Sequence, residues 1–310
     1  MQKAKNKTRV LVIGGRGYIG SHVAKHLRQL GAQVIIGTRG YKRPLLDSER
    51  QIVFHQDKGA STWLNNIRDV DIVVNAVGIL RQRFGESFQS VHHHAPAELA
   101  KACQTRGTRL IHISSLGLEN NTRSRFIRSK LDGEAAIKSS GADWNIVRPS
   151  IADGAGGFGA KWFRRIAAWP IHAIPTNALG YLAPINIDDV GEAIARIALK
   201  KPIHCVHNER EFELGGDQLF TLFDYLETLA EKPAFLKLRI PSFMARLTAH
   251  LCDLLHVTPY SFGHYEMLKY NNIPRRNHLT ELLHRPATKI GVTHEPQTNS
   301  APILLDSGTA

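Results

Sequence analysis

The chain has 310 residues, of which 43% are hydrophobic, and it carries a formal net charge of +13. This composition excludes a disordered chain, and the length allows one large α/β domain with a smaller appended region. No uncharged apolar run approaches the roughly 18 residues that a membrane-spanning helix needs. The three cysteines are scattered without C-x-x-C spacing, which favours a reducing compartment. Strand-like residues follow the basic N-terminus directly, so we expect a cytoplasmic protein without a removable presequence.

The first predicted element is a strand that ends in a glycine-rich turn. An apolar run over residues 10–13 leads into closely spaced glycines, and an amphipathic helical pattern follows at once. Glycines let such a turn bend sharply and let the backbone approach a pyrophosphate at the helix N-terminus. The strand, turn and helix therefore predict a dinucleotide-binding unit. The turn residues expected to contact the cofactor are Gly14, Gly15, Arg16, Gly17, Tyr18, Ile19 and Gly20.

The end of the second predicted strand indicates which dinucleotide is bound. Proteins that prefer NAD commonly carry Asp or Glu there, which accepts a hydrogen bond from the ribose 2′-hydroxyl. Here the strand over residues 33–37 is followed by Thr38, Arg39 and Arg43, and residues 1–46 contain no Asp or Glu. Because arginine suits a 2′-phosphate, we expect NADP(H) to be preferred over NAD(H), with Arg16 reaching the same phosphate. The alternative is that these cations form only a solvated basic edge.

Later strand ends supply the rest of the predicted cofactor site. Asp57, after a third strand over residues 51–55, either accepts a hydrogen bond from the adenine amino group or caps the next helix. The exit of the fourth strand carries small residues, which leave room for the cofactor across the strand ends. The residues expected at the cofactor from these segments are Asp57, Lys58, Ala76, Val77, Gly78, Pro149 and Ile151.

The fifth predicted strand, over residues 108–115, ends in Ser114 and Ser115. Ligands meet an open parallel sheet at the carboxyl ends of its strands, so these serines are placed for chemistry. Helices are expected over residues 88–106 and 125–136, and a sixth strand over residues 143–150. Strand and helix alternate throughout, which predicts an α/β fold with a Rossmann-type, doubly wound parallel sheet. The run His92–His94 has no ligand at metal-binding spacing, so we expect no metal site.

The chain is expected to divide near residue 200. Residues 1–200 would form the Rossmann domain, with residues 151–182 contributing to the cleft. Residues 201–294 would form a smaller, mainly helical region that contacts a substrate or partner, followed by a frayed tail over residues 295–310. This region carries an amphipathic stripe of Phe243, Met244, Leu247, Leu251, Leu254 and Leu255. We expect the stripe in the core; the alternative is a surface helix on an anionic membrane, with Lys237, Arg239 and Arg246 at the lipid headgroups.

The sequence resembles an atypical, extended short-chain dehydrogenase/reductase of the epimerase/dehydratase type. The segments that carry this resemblance are Gly14–Gly20, Asn75–Gly78, Ile113–Ser115, Ser129–Lys130, Arg148–Ser150 and Ile187–Val190. Within the superfamily, the chain is similar to the subfamily of the nucleotide-binding accessory subunit of respiratory complex I and its bacterial relatives. Residues 128–134 and 268–272 point to that subfamily.

The resemblance implies a catalytic Tyr-x-x-x-Lys pair on one helix face and a serine on the preceding strand. Lys130 stands at the lysine position, and Ser114 or Ser115 at the serine position. The residue four before Lys130 is Phe126, whose phenyl ring has no proton to give or take. His92 stands where the family carries a supporting asparagine.

We therefore expect an NADP(H)-binding protein with an impaired catalytic motif and a structural or regulatory role linked to a respiratory or quinone-related complex. One alternative is an active NADP-dependent reductase, dehydratase or epimerase on a small carbonyl or sugar-like substrate, with its acid supplied by Ser115, His92 or water. Another is a regulator that senses NADPH. The implied partners are the dinucleotide and a protein complex or anionic membrane surface, which would place the protein peripherally on the inner membrane. No nucleic-acid-binding motif accompanies the basic charge, so nucleic acid is not expected as a partner.

Overall fold

A parallel β-sheet forms the centre of the molecule. The computed structural model describes residues 7–39, 44–54, 59–83, 85–118, 124–200, 210–255 and 262–291. The strands are β1 (Arg9–Ile13), β2 (Gln33–Thr38), β3 (Glu49–Gln51), β4 (Ile72–Asn75), β5 (Arg109–Ile113), β6 (Trp144–Pro149), β7 (Ala152–Asp153), β8 (Ile171–Pro175), β9 (Ile185–Asn186), β10 (Glu211–Leu214) and β11 (Leu236–Ile240). The helices are α1 (Tyr18–Gln29), α2 (Ala60–Asn66), α3 (Ala95–Arg106), α4 (Arg125–Lys138), α5 (Phe158–Ala167), α6 (Ile187–Leu199), α7 (Leu222–Leu229), α8 (Ser242–Leu255), α9 (Phe262–Met267) and α10 (Leu279–Leu283).

The main sheet has seven strands in the described part of the chain, in the order β10-β6-β5-β4-β1-β2-β3, and every neighbouring pair is parallel. The chain builds outward from β1 to β3, returns to pair β4 with the other side of β1, and then builds outward again. The predicted doubly wound Rossmann-type sheet is therefore confirmed. The strand order reverses between β1 and β4, and such a switch point is where ligands bind outside the strand ends.

Apolar side chains cover both faces of this sheet. In β1, Val10 and Val12 face a core shared with α1, α6 and α10, while Leu11 and Ile13 face a core shared with α2 and α3. Successive side chains of a strand alternate between faces, so a strand buried on both sides must be apolar throughout. This is why the uninterrupted run before the glycines encodes a central strand.

Two element boundaries differ from the sequence-based expectation. The third strand is β3 (Glu49–Gln51), which begins earlier than the predicted 51–55, and residues 55–58 lie outside the described part of the chain. The helix expected over residues 88–106 begins with a π-helical segment, Gln89–His94, and continues as α3. Pro96 lies in the first turn of α3, where its missing N–H costs little.

The chain beyond residue 200 contributes strands as well as helices. β10 is the outermost strand of the main sheet, and β11 pairs in parallel with β8 in a separate two-stranded sheet. Strand β11 was not predicted, because the sequence pattern from residue 220 onward is mainly helical without clear strand alternation. The division at residue 200 stays a prediction.

Helix α8 turns its alanines, not its large apolar stripe, towards the protein. Ala245 and Ala249 are 1% and 0% exposed and pack with Tyr265 and Ile240. Stripe residues with exposed side chains are Phe243, Met244, Leu247 and Leu251, at 46–70% exposure. The expectation that they lie in the core was wrong, because the small alanines allow the helix to approach Tyr265 and Ile240 more closely. The side chains of Leu254 and Leu255 lie outside the described part. Among the described residues, no helix has the length and apolar character of a membrane span.

Candidate functional site

The glycine-rich turn at the end of β1 is folded by its own backbone. Gly14 adopts a positive φ of 77°, and its N–H donates to the Gly37 carbonyl at 3.0 Å. The Gly17 N–H donates to the Gly14 carbonyl at 2.8 Å. A Cβ at Gly20 would lie 2.3 Å from that same carbonyl oxygen, so only glycine lets α1 pack this closely on the turn.

The N-terminus of α1 is free to receive an anion. Its N-cap is Gly17, which offers no side-chain hydrogen bond, and the first turn contains no acidic residue. The first N–H groups of a helix have no partner within the helix, and the helix dipole favours negative charge beside them. The turn and this helix end together fit the pyrophosphate of a dinucleotide.

The arginines expected at a 2′-phosphate are paired with carboxylates. Arg16 contacts Glu49 through two hydrogen bonds, at 3.0 and 2.6 Å, and Arg39 contacts Glu86 at 2.8 Å. Glu49 lies on β3, next to the end of β2 where Thr38 lies. The other predicted residues of this end, Arg43, Asp57 and Lys58, lie outside the described part of the chain. Sequence reasoning missed both carboxylates because they are distant from the arginines along the chain.

The segment after β4, with Ala76, Val77 and Gly78, is fixed by hydrogen bonds. The Ala76 N–H donates to Ile13, and the Val77 N–H donates to the side chain of Asn75, both within 3.1 Å. Asn75 also donates to Nδ1 of His112. This segment lies at the same sheet edge as the glycine turn, since a Cβ at Gly14 would meet the Ala76 carbonyl at 3.1 Å.

Gly133 brings helix α4 against the π-helical segment that carries His92. A Cβ at Gly133 would lie 1.9 Å from the His92 carbonyl oxygen, so a larger residue would force the two helices apart. This approach places Phe126 of α4 against the ring of His92, and the charge of Lys130 acts on the same ring. The Lys130 ammonium makes no ion pair with any residue in the described part. Burial lowers the pKa of Lys130 to about 8, although the negative charge of Glu134 acts to raise it.

Phe126 is enclosed by an aromatic cluster. Its ring meets Phe88 and His92 edge to face, at centroid distances of 5.6 and 5.5 Å, and the Lys130 ammonium lies 5.8 Å from its centroid. Only 5% of Phe126 is exposed. The ring therefore fills the space beside Lys130 without a polar atom.

Both ring nitrogens of His92 are occupied. Nε2 accepts from the Ile79 N–H at 3.1 Å, and Nδ1 lies 3.0 Å from the Ser129 hydroxyl, which donates to the Phe126 carbonyl. Nδ1 must therefore carry the proton. Burial, with the charge of Lys130, holds the pKa of His92 well below its usual value, so the ring is neutral and positions the chain after Gly78.

The serines at the end of β5 lie beside a buried ion pair. Ser114 is 6% exposed, and the buried hydroxyl of Ser115 has no hydrogen-bond partner among the described residues. Glu134, on α4, forms a two-pronged ion pair with Arg148 of β6. Burial raises the pKa of Glu134, but Arg148 outweighs that effect and leaves it lowered, so both groups stay charged. No sequence pattern indicated this pair, because its members lie on different elements.

The remaining predicted residues, Pro149 and Ile151, flank the exit of β6. The Pro149 carbonyl accepts from the Leu116 N–H at 3.0 Å, and Ile151 lies with Tyr18 on the wall of a cavity beside the glycine turn. The glycine turn, the β4 exit and Ser115 follow neighbouring parallel strands and therefore lie at one edge of the sheet, while Lys130 lies on α4, which packs against the segment that carries His92. No group of three or more potential metal ligands occurs among the described residues.

Several known proteins with similar sequences are named as subunits of NADH dehydrogenase. The chain is 26% identical over 248 residues to "NADH dehydrogenase [ubiquinone] 1 alpha subcomplex subunit 9, mitochondrial" of Arabidopsis thaliana, covering 74% of this chain and 60% of that protein. It is 26% identical over 264 residues to the protein of the same name from Rattus norvegicus, covering 81% and 68%. The chain thus spans less than two thirds of the length of the first of these relatives.

The fold is that of solved epimerases. A nucleoside-diphosphate-sugar epimerase from Staphylococcus aureus superposes with a TM-score of 0.70 at 14% identity, over 91% of this chain and 98% of that one. The model of the family described as "NAD dependent epimerase/dehydratase family" matches residues 10–166, from β1 into α5. That segment contains the glycine turn, the β4 exit, the serines and Lys130. The chain therefore belongs to the NAD dependent epimerase/dehydratase family.

Proposed function

We propose that this protein holds a nicotinamide dinucleotide as a structural or regulatory group and turns it over slowly or not at all. The observation that carries the proposal is the buried phenyl ring of Phe126, one helical turn before Lys130, where the enzymes that the chain resembles carry a tyrosine. Losing a positioned acid–base group costs on the order of 10²–10⁴ in rate.

The neighbouring groups do not replace the missing acid. His92 is neutral, and its two nitrogens are engaged by the Ile79 N–H and the Ser129 hydroxyl. Burial, with the negative charge of Asp153, raises the pKa of Tyr18 well above its usual value, so this phenol keeps its proton at neutral pH. Tyr18 also begins α1 beside the glycine turn, on a different element from Lys130.

The glycine turn and the first N–H groups of α1 would hold the pyrophosphate, and Lys130 would donate to the hydroxyls of the nicotinamide ribose. When bound, the dinucleotide would supply a hydride to an acceptor or take one from a donor. Lys130 supports this assignment, because its half-buried ammonium makes no ion pair among the described residues and can donate to the acceptors of a ligand.

We further propose that NADP(H) is preferred over NAD(H). Arg16 and Arg39 both lie where the predicted site would receive a 2′-phosphate, and a phosphate accepts a forked pair of hydrogen bonds from arginine. Glu49 and Glu86 offset part of their charge, so the preference depends on whether phosphate displaces a carboxylate from its arginine.

The relatives named above as subunits of NADH dehydrogenase suggest that the protein works beside a respiratory or quinone-related membrane complex. The exposed apolar side chains of α8 support attachment to an anionic membrane, since the helix lies next to the basic strand β11 with Lys237 and Arg239. The net charge of +13 favours the same surface.

The test is to denature the purified protein, identify any nucleotide that is released, and assay the native protein for oxidation of bound NADPH. We expect stoichiometric NADPH that survives purification and resists oxidation by carbonyls and quinones. A Gly20→Val variant, whose side chain would strike the turn, should contain none. Rapid oxidation by either acceptor class would refute the structural role, and wild-type protein that binds neither NADP nor NAD would refute the cofactor site.

The second candidate is an active NADP-dependent reductase, dehydratase or epimerase. The Ser115 hydroxyl, which has no hydrogen-bond partner within the described ranges, favours it, because a serine at this strand end can hold a substrate oxygen. Oxidation of bound NADPH that falls sharply in Ser115→Ala would support this function.

A further inference from the structure

A large cavity lies between the predicted cofactor site and the chain beyond residue 150. Its volume is about 430 Å³, within the range of roughly 300–1,000 Å³ typical of small-molecule sites. Tyr18 and Leu80 form the side nearest the glycine turn and the β4 exit, while Ile240 of β11 and Thr248 of α8 form another. The cavity therefore reaches from the dinucleotide turn to the helix with the exposed apolar stripe.

The walls of the cavity are apolar. The described lining residues include no charged side chain, and most are aliphatic or aromatic, for example Trp162, Phe163, Ile166, Leu222 and Leu226. Two polar side chains of the wall are engaged by the protein, whereas the buried Tyr18 hydroxyl has no hydrogen-bond partner among the described residues. Thr248 donates to the Ala245 carbonyl at 2.9 Å, and the side-chain amide of Asn272 bonds with the Leu116 carbonyl at 3.0 Å and the Ser150 hydroxyl at 2.6 Å.

Arg164 of α5 is also engaged by the protein. Arg164 forms a two-pronged ion pair with the buried Asp153, at 2.7 and 2.9 Å, and the Tyr225 hydroxyl lies 3.2 Å from the same carboxylate. A sugar diphosphate placed in such a cavity would lose its water without gaining hydrogen bonds or counter-charges, which is costly. The solved epimerase that shares the fold is named for a sugar nucleotide, whereas these walls suit a hydrocarbon.

From these walls we infer that the cavity binds the hydrocarbon chain of a lipid-like molecule, with its polar end towards Tyr18 and the dinucleotide turn. The position of that polar end rests on the proposed function. The hydrocarbon chain of the ligand is held by burial of apolar surface. The exposed apolar face of α8 adjoins the cavity wall at Thr248, so a hydrocarbon chain can arrive along that face from a membrane or from solution.

The experiment is a binding series with uncharged alcohols, presented below their aggregation concentrations to the full-length protein and measured by calorimetry. One arm uses straight alkanols from octanol to tetradecanol, the other geraniol and farnesol, and UDP-glucose is the polar comparison. We expect affinity to rise about fourfold per added methylene until the cavity is filled, since each buried methylene contributes that factor. Stronger binding of the alkanols identifies an acyl chain as the occupant, and stronger binding of the prenols identifies an isoprenoid chain; both support the inference.

A matched pair of variants locates the site. Gly159 lines the cavity in α5, and a Cβ there meets no heavy atom within 4 Å, so Gly159→Leu adds a side chain to the cavity without a clash. Ala155→Leu, in the preceding exposed loop, adds similar bulk outside the cavity. We expect Gly159→Leu to weaken alcohol binding at least about tenfold and Ala155→Leu to leave it unchanged.

The bound nucleotide is measured in the same samples. Three results with wild-type protein that keeps its nucleotide would overturn the cavity inference and leave the proposed function standing. They are no binding of alcohols, alcohol binding that does not depend on chain length, and tighter binding of UDP-glucose than of alcohols. Alcohol binding by protein without nucleotide would support the cavity and count against the proposed function.

Discussion

Replacing Gly133 by alanine tests whether the approach of α4 to the π-helical segment builds the site. The added Cβ would lie 1.9 Å from the His92 carbonyl oxygen, far inside van der Waals contact, and the obstacle is backbone that cannot rotate away. The helix must therefore shift, and overpacking of this kind costs typically about 1–3 kcal/mol. That cost exceeds the roughly 1 kcal/mol by which alanine is the better helix former.

The matched control is Gly159→Ala, also in a helix, where the added Cβ has open space. There we expect a gain of about 0.4–1 kcal/mol, because alanine restricts the unfolded chain. Urea unfolding followed by circular dichroism should move the midpoint down for Gly133→Ala and up for Gly159→Ala. The Gly133→Ala protein should also retain less nucleotide, because Lys130 moves with α4. Equal midpoints for Gly133→Ala and wild-type protein would refute the reasoning.

Other predictions concern the cofactor site and the exposed helix. Phe126→Tyr should raise the oxidation of bound NADPH by up to about 10²–10⁴-fold, measured by absorbance with carbonyl acceptors; an unchanged rate would show that more than the proton donor is missing. Burial lowers the pKa of Lys130 to about 8, so dinucleotide affinity should fall as pH rises above 8 and the ammonium loses its proton, by at most about tenfold per pH unit; Lys130→Met should abolish this dependence. Glu49→Gln removes the carboxylate paired with Arg16 and should raise the ratio of NADPH to NADH affinity severalfold in calorimetric titrations, and a fall would contradict the assigned phosphate site. Leu247→Asp should reduce salt-sensitive pelleting with anionic vesicles, and wild-type protein that does not pellet would end the membrane proposal.

The sequence alone was sufficient for the central fold, because its signals there are local. An apolar run of strand length, a turn that only glycine can form, and a helical period of apolar residues each depend on neighbours a few positions away. Repetition of that unit dictates a parallel, doubly wound sheet. The strand ends that carry Gly14–Gly20, Gly78 and Ser115 then share one edge, since parallel strands end together.

Tertiary structure decided what those residues touch. The partners of Arg16 and Arg39 are carboxylates far along the chain, and no local pattern announces such pairs. The neutrality of His92 follows from its burial and from the charge of Lys130, which lies on another helix. An amphipathic period, likewise, shows that a helix has two faces but not which one is covered. In α8 the alanine face packs because small side chains permit close approach, and the large apolar stripe is left outside. The charge state of a side chain and the burial of a face depend on all the elements packed around them, so they were settled only when the chain had folded.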